Sequence, residues 1–353
     1  MRVLKVSRWI IPVVAVSVAV GLPLAGNAST GTPAAAVPGV LVQELHQDPR
    51  QVLDFWTPER MRSARHPSGE ADSPHPGRTD RTDRLDGRGT PVVVQPTVPR
   101  TPPPRPPKGR LPGDFPDGGS PWKGDGLVSR TVGTVFFTSP AVVGAVACDG
   151  VAVQSHNKSV VLTKGSCTDL VDMSITSWVF APGYRDGRTP YGLWMATQLF
   201  SLPEWHERED DNFDVGAATV IGIPVGTPLV DTVGGQGVAF NQVIHPHPKV
   251  YMFGYWSQRP KNLYYCSGRS VDDPNPPPRM PQALYCPVAG GAAWGSPWFL
   301  GFDEETGVGI VNSIDIGNSY NLDYQLAPYF GDRIEDLYNQ AQNSPVTTPR
   351  RTR

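Results

Sequence analysis

The chain has 353 residues, with 31 Lys and Arg against 33 Asp and Glu and a formal charge of −2. That balance excludes a nucleic-acid binder working through a basic face. Eleven of its 39 prolines fall between residues 91 and 121, which separates a linker from the material able to form a core. The four cysteines, Cys148, Cys167, Cys266 and Cys286, form an even set, as expected of two disulfides in an exported chain. Spacing alone leaves all three pairings open.

Residues 1–28 carry Arg2, Lys5 and Arg8, then the apolar run Trp9 to Val20, then Gly26-Asn27-Ala28. This order reads as a secretory signal with a small-residue cleavage site. The apolar run is about a dozen residues, against the roughly 20 that cross a bilayer as a helix, so no membrane association is expected after cleavage. Residues 29–66 read as a short helical pro-segment. Val40, Leu41, Leu45, Val52, Leu53 and Trp56 supply the apolar positions, and Thr57-Pro58-Glu59 supplies a helix start. Residues 67–121 combine Arg-Thr-Asp repeats with a proline-rich run and read as a disordered linker.

From 122 the pattern becomes short β-branched or aromatic runs punctuated by Gly, Pro, Asn and Asp. These are 131–137, 150–155, 158–163, 174–182, 193–200, 213–220, 249–256, 262–267 and 308–314. Many strands with almost no helix mean an all-β barrel or sandwich. At 331–342, Asp332 and Glu335 stand in capping-box spacing and Ile334, Leu337, Tyr338 and Ala341 share one face, so a closing helix is expected. Residues 343–353 form a basic C-terminal tail.

The segments WVFAPGY (178–184), PYGLWMATQL (190–199), NFDVGAATV (212–220), VGGQGVAFNQ (233–242), YYCSGR (264–269) and SPWFLGFDEETG (296–307) occur in an order that resembles the secreted trypsin-like serine peptidases of actinobacteria, the glutamyl-endopeptidase-like branch. The pro-segment VLDFWTPERMRSA (52–64) is similar to theirs as well. The resemblance implies a chymotrypsin-like fold of two six-stranded antiparallel barrels over 122–342. It also implies the disulfides Cys148–Cys167 and Cys266–Cys286, and an extracellular location.

Carried over residue by residue, the resemblance implies a damaged catalytic triad. The family's Thr-Ala-Gly-His-Cys loop corresponds to Thr163-Lys164-Gly165-Ser166-Cys167, which places Ser166 at the histidine position. Asp214 corresponds to the retained acid, the residue that orients the histidine. The family's Gly-Gly-x-Ser-Gly-Gly-Pro-Trp corresponds to Gly290 through Trp298, with Ala293 or Trp294 at the serine position according to the anchor chosen. A tryptophan there fills or distorts the oxyanion hole. The implied protein is an inactive peptidase homologue that binds an unknown protein or peptide. The alternative is an active secreted serine endopeptidase whose nucleophile or base has moved.

Other groups were weighed for chemistry. Lys164 beside Ser166 suggests a serine-lysine pair, against a lysine that simply points to water. Ser296 precedes Pro297, which lacks a backbone donor. His156 lies in a solvated turn, and His206 in the acidic loop 204–211. That loop, with Glu204, Glu207, Glu209, Asp210 and Asp211, lacks the ligand spacing of a calcium site and reads as a solvated charge run. His245 and His247 suit zinc, but no further ligand can be named. No metal or cofactor is expected. The proline-rich insertion 272–281 reads as a stiff surface loop.

Overall fold

The computed structural model describes residues 39–65, 89–99, 119–140, 142–169, 174–256, 262–274, 280–287, 294–318 and 323–347. The signal segment 1–28, Ala293, most of the linker and the end of the basic tail lie outside the described residues.

The chain begins with strand β1 (Leu41–Glu44) and helices α1 (Pro49–Phe55) and α2 (Pro58–Ser63), followed by strands β2 (Val92–Val94) and β3 (Ser120–Pro121) and helix α3 (Val128–Thr131). Then come β4 (Val132–Thr138), β5 (Val146–Val153), β6 (Val160–Lys164), β7 (Thr176–Pro182) and β8 (Leu193–Ser201). Helix α4 (Pro203–Arg208), β9 (Val215–Ile223) and helix α5 (Leu229–Val233) complete the first half. The second half holds β10 (Gly237–Phe240), β11 (Lys249–Gly254), β12 (Tyr264–Arg269), β13 (Gln282–Tyr285), β14 (Pro297–Asp303), β15 (Val308–Ile314), β16 (Gly317–Asn318), β17 (Tyr324–Ala327) and helix α6 (Asp332–Asn343).

Strands β4, β5, β6, β9, β8 and β7 pair antiparallel in that order, and β7 returns to β4, which closes a six-stranded barrel. The period of two along each strand sorts its side chains into two cores. Cys148, Val161, Trp178, Phe180 and Val220 fall in a cluster confined to this barrel and α5. Val151, Leu162, Val179, Met195 and Ala217 fall in a cluster continuous with Phe253, Tyr265 and Phe299 of the second half and with Leu337 and Tyr338 of α6.

In the second half, the sheet order is β2-β10-β15-β14-β11-β12-β3, and β13-β17-β16 form a separate three-stranded sheet joined by the bridge Val271↔Ala283. The β10–β15 pair is parallel. The disulfides are Cys148–Cys167, tying β5 to the turn after β6, and Cys266–Cys286, tying β12 to the end of β13. Their sequence separations of 19 and 20 correspond to about 3 kcal/mol each by loop entropy.

Three regions depart from the sequence reading. Residues 41–44 form a strand, not a helix, because their backbone pairs with 198–201 of β8. The stretch read as a disordered linker is ordered at two places: Val92–Val94 pairs with β10 and Ser120–Pro121 with β12. Three consecutive valines suit a strand, and both strands sit at sheet edges, where proline is tolerated. Asp332 and Glu335 do not build a capping box. Gly331 is the N-cap, and both carboxylates accept from Asn241 Nδ2, at 2.7 and 3.2 Å.

The pro-segment packs by burying Val52, Trp56 and Met61 in the larger core. Trp56 donates its indole N–H to the Ser177 carbonyl at 2.7 Å, and its ring meets Phe136. Gln47 donates to the carbonyls of Trp178 and Ala196. Trp56→Ala is expected to cost about 3–5 kcal/mol in denaturant unfolding of the full chain. A loss below about 1 kcal/mol would mean that this segment contributes no packing in solution.

Candidate functional site

The register of β6 against β9 builds the site. Lys164 lies opposite Val215, so the residue before Val215, Asp214, comes beside the turn 165–167. Gly165 permits this approach, since a Cβ there would fall 2.8 Å from Asp214 Oδ1. Asp214 Oδ1 accepts the Ser166 backbone N–H at 2.7 Å, and Asp214 Oδ2 lies 3.4 Å from Lys164 Nζ. Both side chains are buried, 6% and 2% exposed for lysine and aspartate. Lys164 Nζ also sits 3.5 Å from the centroid of the Trp294 ring, a cation–π contact strengthened by the lack of water.

Lys164 therefore does not point to water. Its strand is paired on both sides, with β5 and β9, and its side chain runs to the Asp214 carboxylate and the Trp294 face. Asp214 is correspondingly not an acid without a partner. The Ser166 hydroxyl is buried without a hydrogen-bond partner among the described residues, and no serine-lysine contact is formed there.

Two further buried carboxylates flank this pair. Asp149 Oδ2 accepts from the Tyr255 N–H at 2.9 Å and from the Ser296 hydroxyl at 2.8 Å. Asp315 is fully buried, with Lys164 and the Gly317 N–H as the groups that favour its charged form. Burial raises Asp149 from 3.8 to about 7 against its two hydrogen bonds, and raises Asp315 well above 3.8 with Lys164 opposing and Asp149 reinforcing. Burial also raises Asp214 to about 6, while Lys164 and the Ser166 N–H pull it down. The turn 294–296 is laced into the same cluster. Asp149 N donates to the Trp294 carbonyl, Gly295 N to the Asp315 carbonyl, and Asp315 N to the Ser296 carbonyl. Gly295, at φ +88°, leaves no room for a Cβ, which would lie 2.2 Å from the Asp149 carbonyl.

Sequence reasoning did not single out Asp149 or Asp315, nor the burial of Lys164. The available signal was a lysine ending a β-branched run and aspartates inside otherwise apolar strands. Ser296 is fully buried against Asp149, away from any substrate. His206 Nδ1 and the Ser201 hydroxyl both bond to Asp169 Oδ2, at 2.9 and 2.7 Å, so serine and imidazole address one carboxylate. His156 bonds to Asn343 at the surface. The acidic loop folds as α4 and a following turn, where Arg333 forks Glu204 at 2.8 and 3.0 Å and Asp210 accepts from the Asn212 N–H. Its carboxylates are thus partly engaged in packing α6, not simply solvated.

No protein-family model matches the chain. Among solved structures, the protease Anisep from Arthrobacter nicotinovorans is 31% identical with a TM-score of 0.54, over 61% of this chain and 96% of that one. The thermostable serine protease AL20 from an extremophilic microorganism is 29% identical with the same TM-score, over 62% and 100%. The extracellular metalloprotease of Bacillus subtilis (strain 168) is 26% identical over 197 residues, 55% of this chain; the match spans only 57% of that protein. The chain belongs to the bacterial chymotrypsin-fold serine proteases.

The Lys164–Asp214 pair generates two stability predictions. Asp214→Asn removes a carboxylate whose folded pKa is raised, so its cost in urea unfolding should shrink as pH rises from about 4 through 7. For the second, the folded pKa of Asp214, about 6, lies above its ordinary value. Its contribution to stability therefore falls as pH rises from about 4 through 6. Lys164→Met removes the cation and raises that folded pKa further. Its cost should be smaller at pH 5 than at pH 8, measured by urea unfolding at both. A cost independent of pH would mean that lysine and carboxylate are uncoupled.

Proposed function

We propose that this chain is an exported serine protease homologue that has lost peptide-bond hydrolysis and acts by binding a protein or peptide. The observation that carries the reading is Lys164 held between the Asp214 carboxylate and the Trp294 ring. Hydrolysis in this fold needs a carboxylate that orients an imidazole, an imidazole that takes the serine proton, and N–H donors aimed at the oxyanion. Here both oxygens of Asp214 are already engaged, one by the Ser166 N–H and one by Lys164. Ser166 stands where the resemblance expects the histidine, and Trp294 lies in the nucleophile segment. The relocated-nucleophile alternative has little support, since Ser296 is fully buried and Ser166 Oγ is sealed from solvent.

Export rests on the segment 1–28, on the two disulfides, and on the similarity to an extracellular metalloprotease. Among the described residues no helix is long and apolar enough to cross a membrane. N-terminal sequencing of the protein from culture fluid is expected to begin after Ala28.

The test of inactivity is a serine-directed fluorophosphonate probe together with a peptide-hydrolysis assay on the secreted chain. No stoichiometric labelling is expected, and hydrolysis should lie about 10⁴-fold or more below that of an intact relative. Labelling of any serine would support the alternative of a working endopeptidase. Ser166→His alone should restore nothing, because base and nucleophile act as a unit. Recovery should further require replacement of Lys164, which occupies Asp214, and of the Ala293-Trp294 segment.

A further inference from the structure

The fold brings a third metal-ligating residue to the His245-Pro246-His247 turn. The two histidines lie between β10 and β11, and Asp272 lies just after β12. Strands β11 and β12 pair from Lys249↔Arg269 onward. Beyond the last pair, Ser270 N donates to the Pro248 carbonyl at 3.0 Å and Arg269 Nη1 to the His247 carbonyl at 2.5 Å. These bonds fix the backbones that carry the three side chains before any ligand arrives. His247 Nε2 is 3.4 Å and His245 Nε2 3.9 Å from Asp272 Oδ1, the imidazole centroids are 4.5 Å apart, and one donor atom from each residue lies within 4.8 Å of the others.

From this arrangement we infer that His245, His247 and Asp272 form a divalent-cation site of zinc type, with its remaining position open to water. Bonds of about 2.0–2.1 Å at tetrahedral angles place neighbouring donors roughly 3.3–3.4 Å apart. The His247–Asp272 separation already has that length, and the His245–Asp272 separation exceeds it by about half an ångström. Two neutral imidazoles and one carboxylate are a borderline donor set that suits zinc and neighbouring first-row cations better than the all-oxygen demand of calcium or magnesium. All four cysteines are in disulfides and offer no competing thiolate. His245 and Asp272 are exposed and His247 is half-buried, which gives an entry path and leaves room for a water or for a donor from a partner. Bound, the ion would clip the β10–β11 connection to the start of the proline-rich insertion 272–281.

The experiment uses the full chain, stripped with chelator and titrated with zinc chloride by calorimetry, with metal content after dialysis measured by mass spectrometry. One zinc per chain is expected, undisturbed by excess calcium. His245→Ala/His247→Ala should abolish it, and Asp272→Asn should weaken it at least about tenfold. Asp272 is exposed, so its variant folds even if the double histidine variant does not, and it decides the matter alone in that case. Absence of stoichiometric zinc in the wild type, or wild-type affinity in Asp272→Asn, would overturn the site. Binding is read without any peptidase assay, so its failure is separate from a failure of the inactive-site reading.

Discussion

A lysine buried in a β-barrel requires an anion and, preferably, an aromatic face, and in this chain that requirement organises everything around residue 164. Desolvating an ammonium costs several kcal/mol even after relaxation. The compensation comes from Asp214 at 3.4 Å and from the Trp294 ring at 3.5 Å. Asp214 reaches its place only because Gly165 lets the β6 turn pass over it, and Trp294 only because its carbonyl is pinned by the Asp149 N–H. In a proteolytic member of the fold, the same aspartate would spend its charge on an imidazole. Here the charge holds a buried cation instead.

The upstream segments do a different kind of work. An open antiparallel sheet exposes unpaired backbone groups at its edges, which invites association with other chains. The second sheet has one edge covered by β2 and the other by β3, both drawn from a stretch whose composition promises little order. The pro-segment adds β1 to β8 and inserts Trp56 beside Phe136. These pieces contribute main-chain hydrogen bonds and apolar area to a domain that would otherwise present free edges. They also tie the N-terminal third to both halves of the fold through several short contacts.

The architecture was legible because its signals are local. Runs of β-branched and aromatic residues between turn residues located nine of the strands, and the apolar face of 331–342 located α6. The disulfide pairing followed from the family resemblance, and the structure has both bridges. Elements made by pairing were not legible. Val92–Val94 becomes a strand because β10 offers an edge, and 41–44 because β8 does; nothing within either stretch states which partner it will find. At the candidate site the sequence singled out Asp214 and Trp294 but misjudged Lys164. Whether a lysine at a strand end faces water depends on which residue the neighbouring strand places opposite it. The third residue of the histidine cluster failed for the same reason, because Asp272 is 25 positions from His247 and meets it only through the β11–β12 register.

The buried carboxylates around Lys164 also explain how one cation suffices for three acids. Full ionisation of Asp149, Asp214 and Asp315 would leave an uncompensated negative charge in a dry interior. The environments divide the protons instead. Asp214, closest to the lysine and bonded to an N–H, is held lowest, at about 6. Asp149, with a hydroxyl and an N–H but no cation in contact, sits at about 7. Asp315 is raised well above its ordinary value by burial and by Asp149, with Lys164 and the Gly317 N–H opposing. All three carboxylates are shifted upward by burial, so the folded cluster favours taking up protons and less negative charge faces the one cation. Such a centre is stable because its charges regulate one another. An imidazole or substrate reaching Asp214 would have to displace the Lys164 ammonium held 3.4 Å from it.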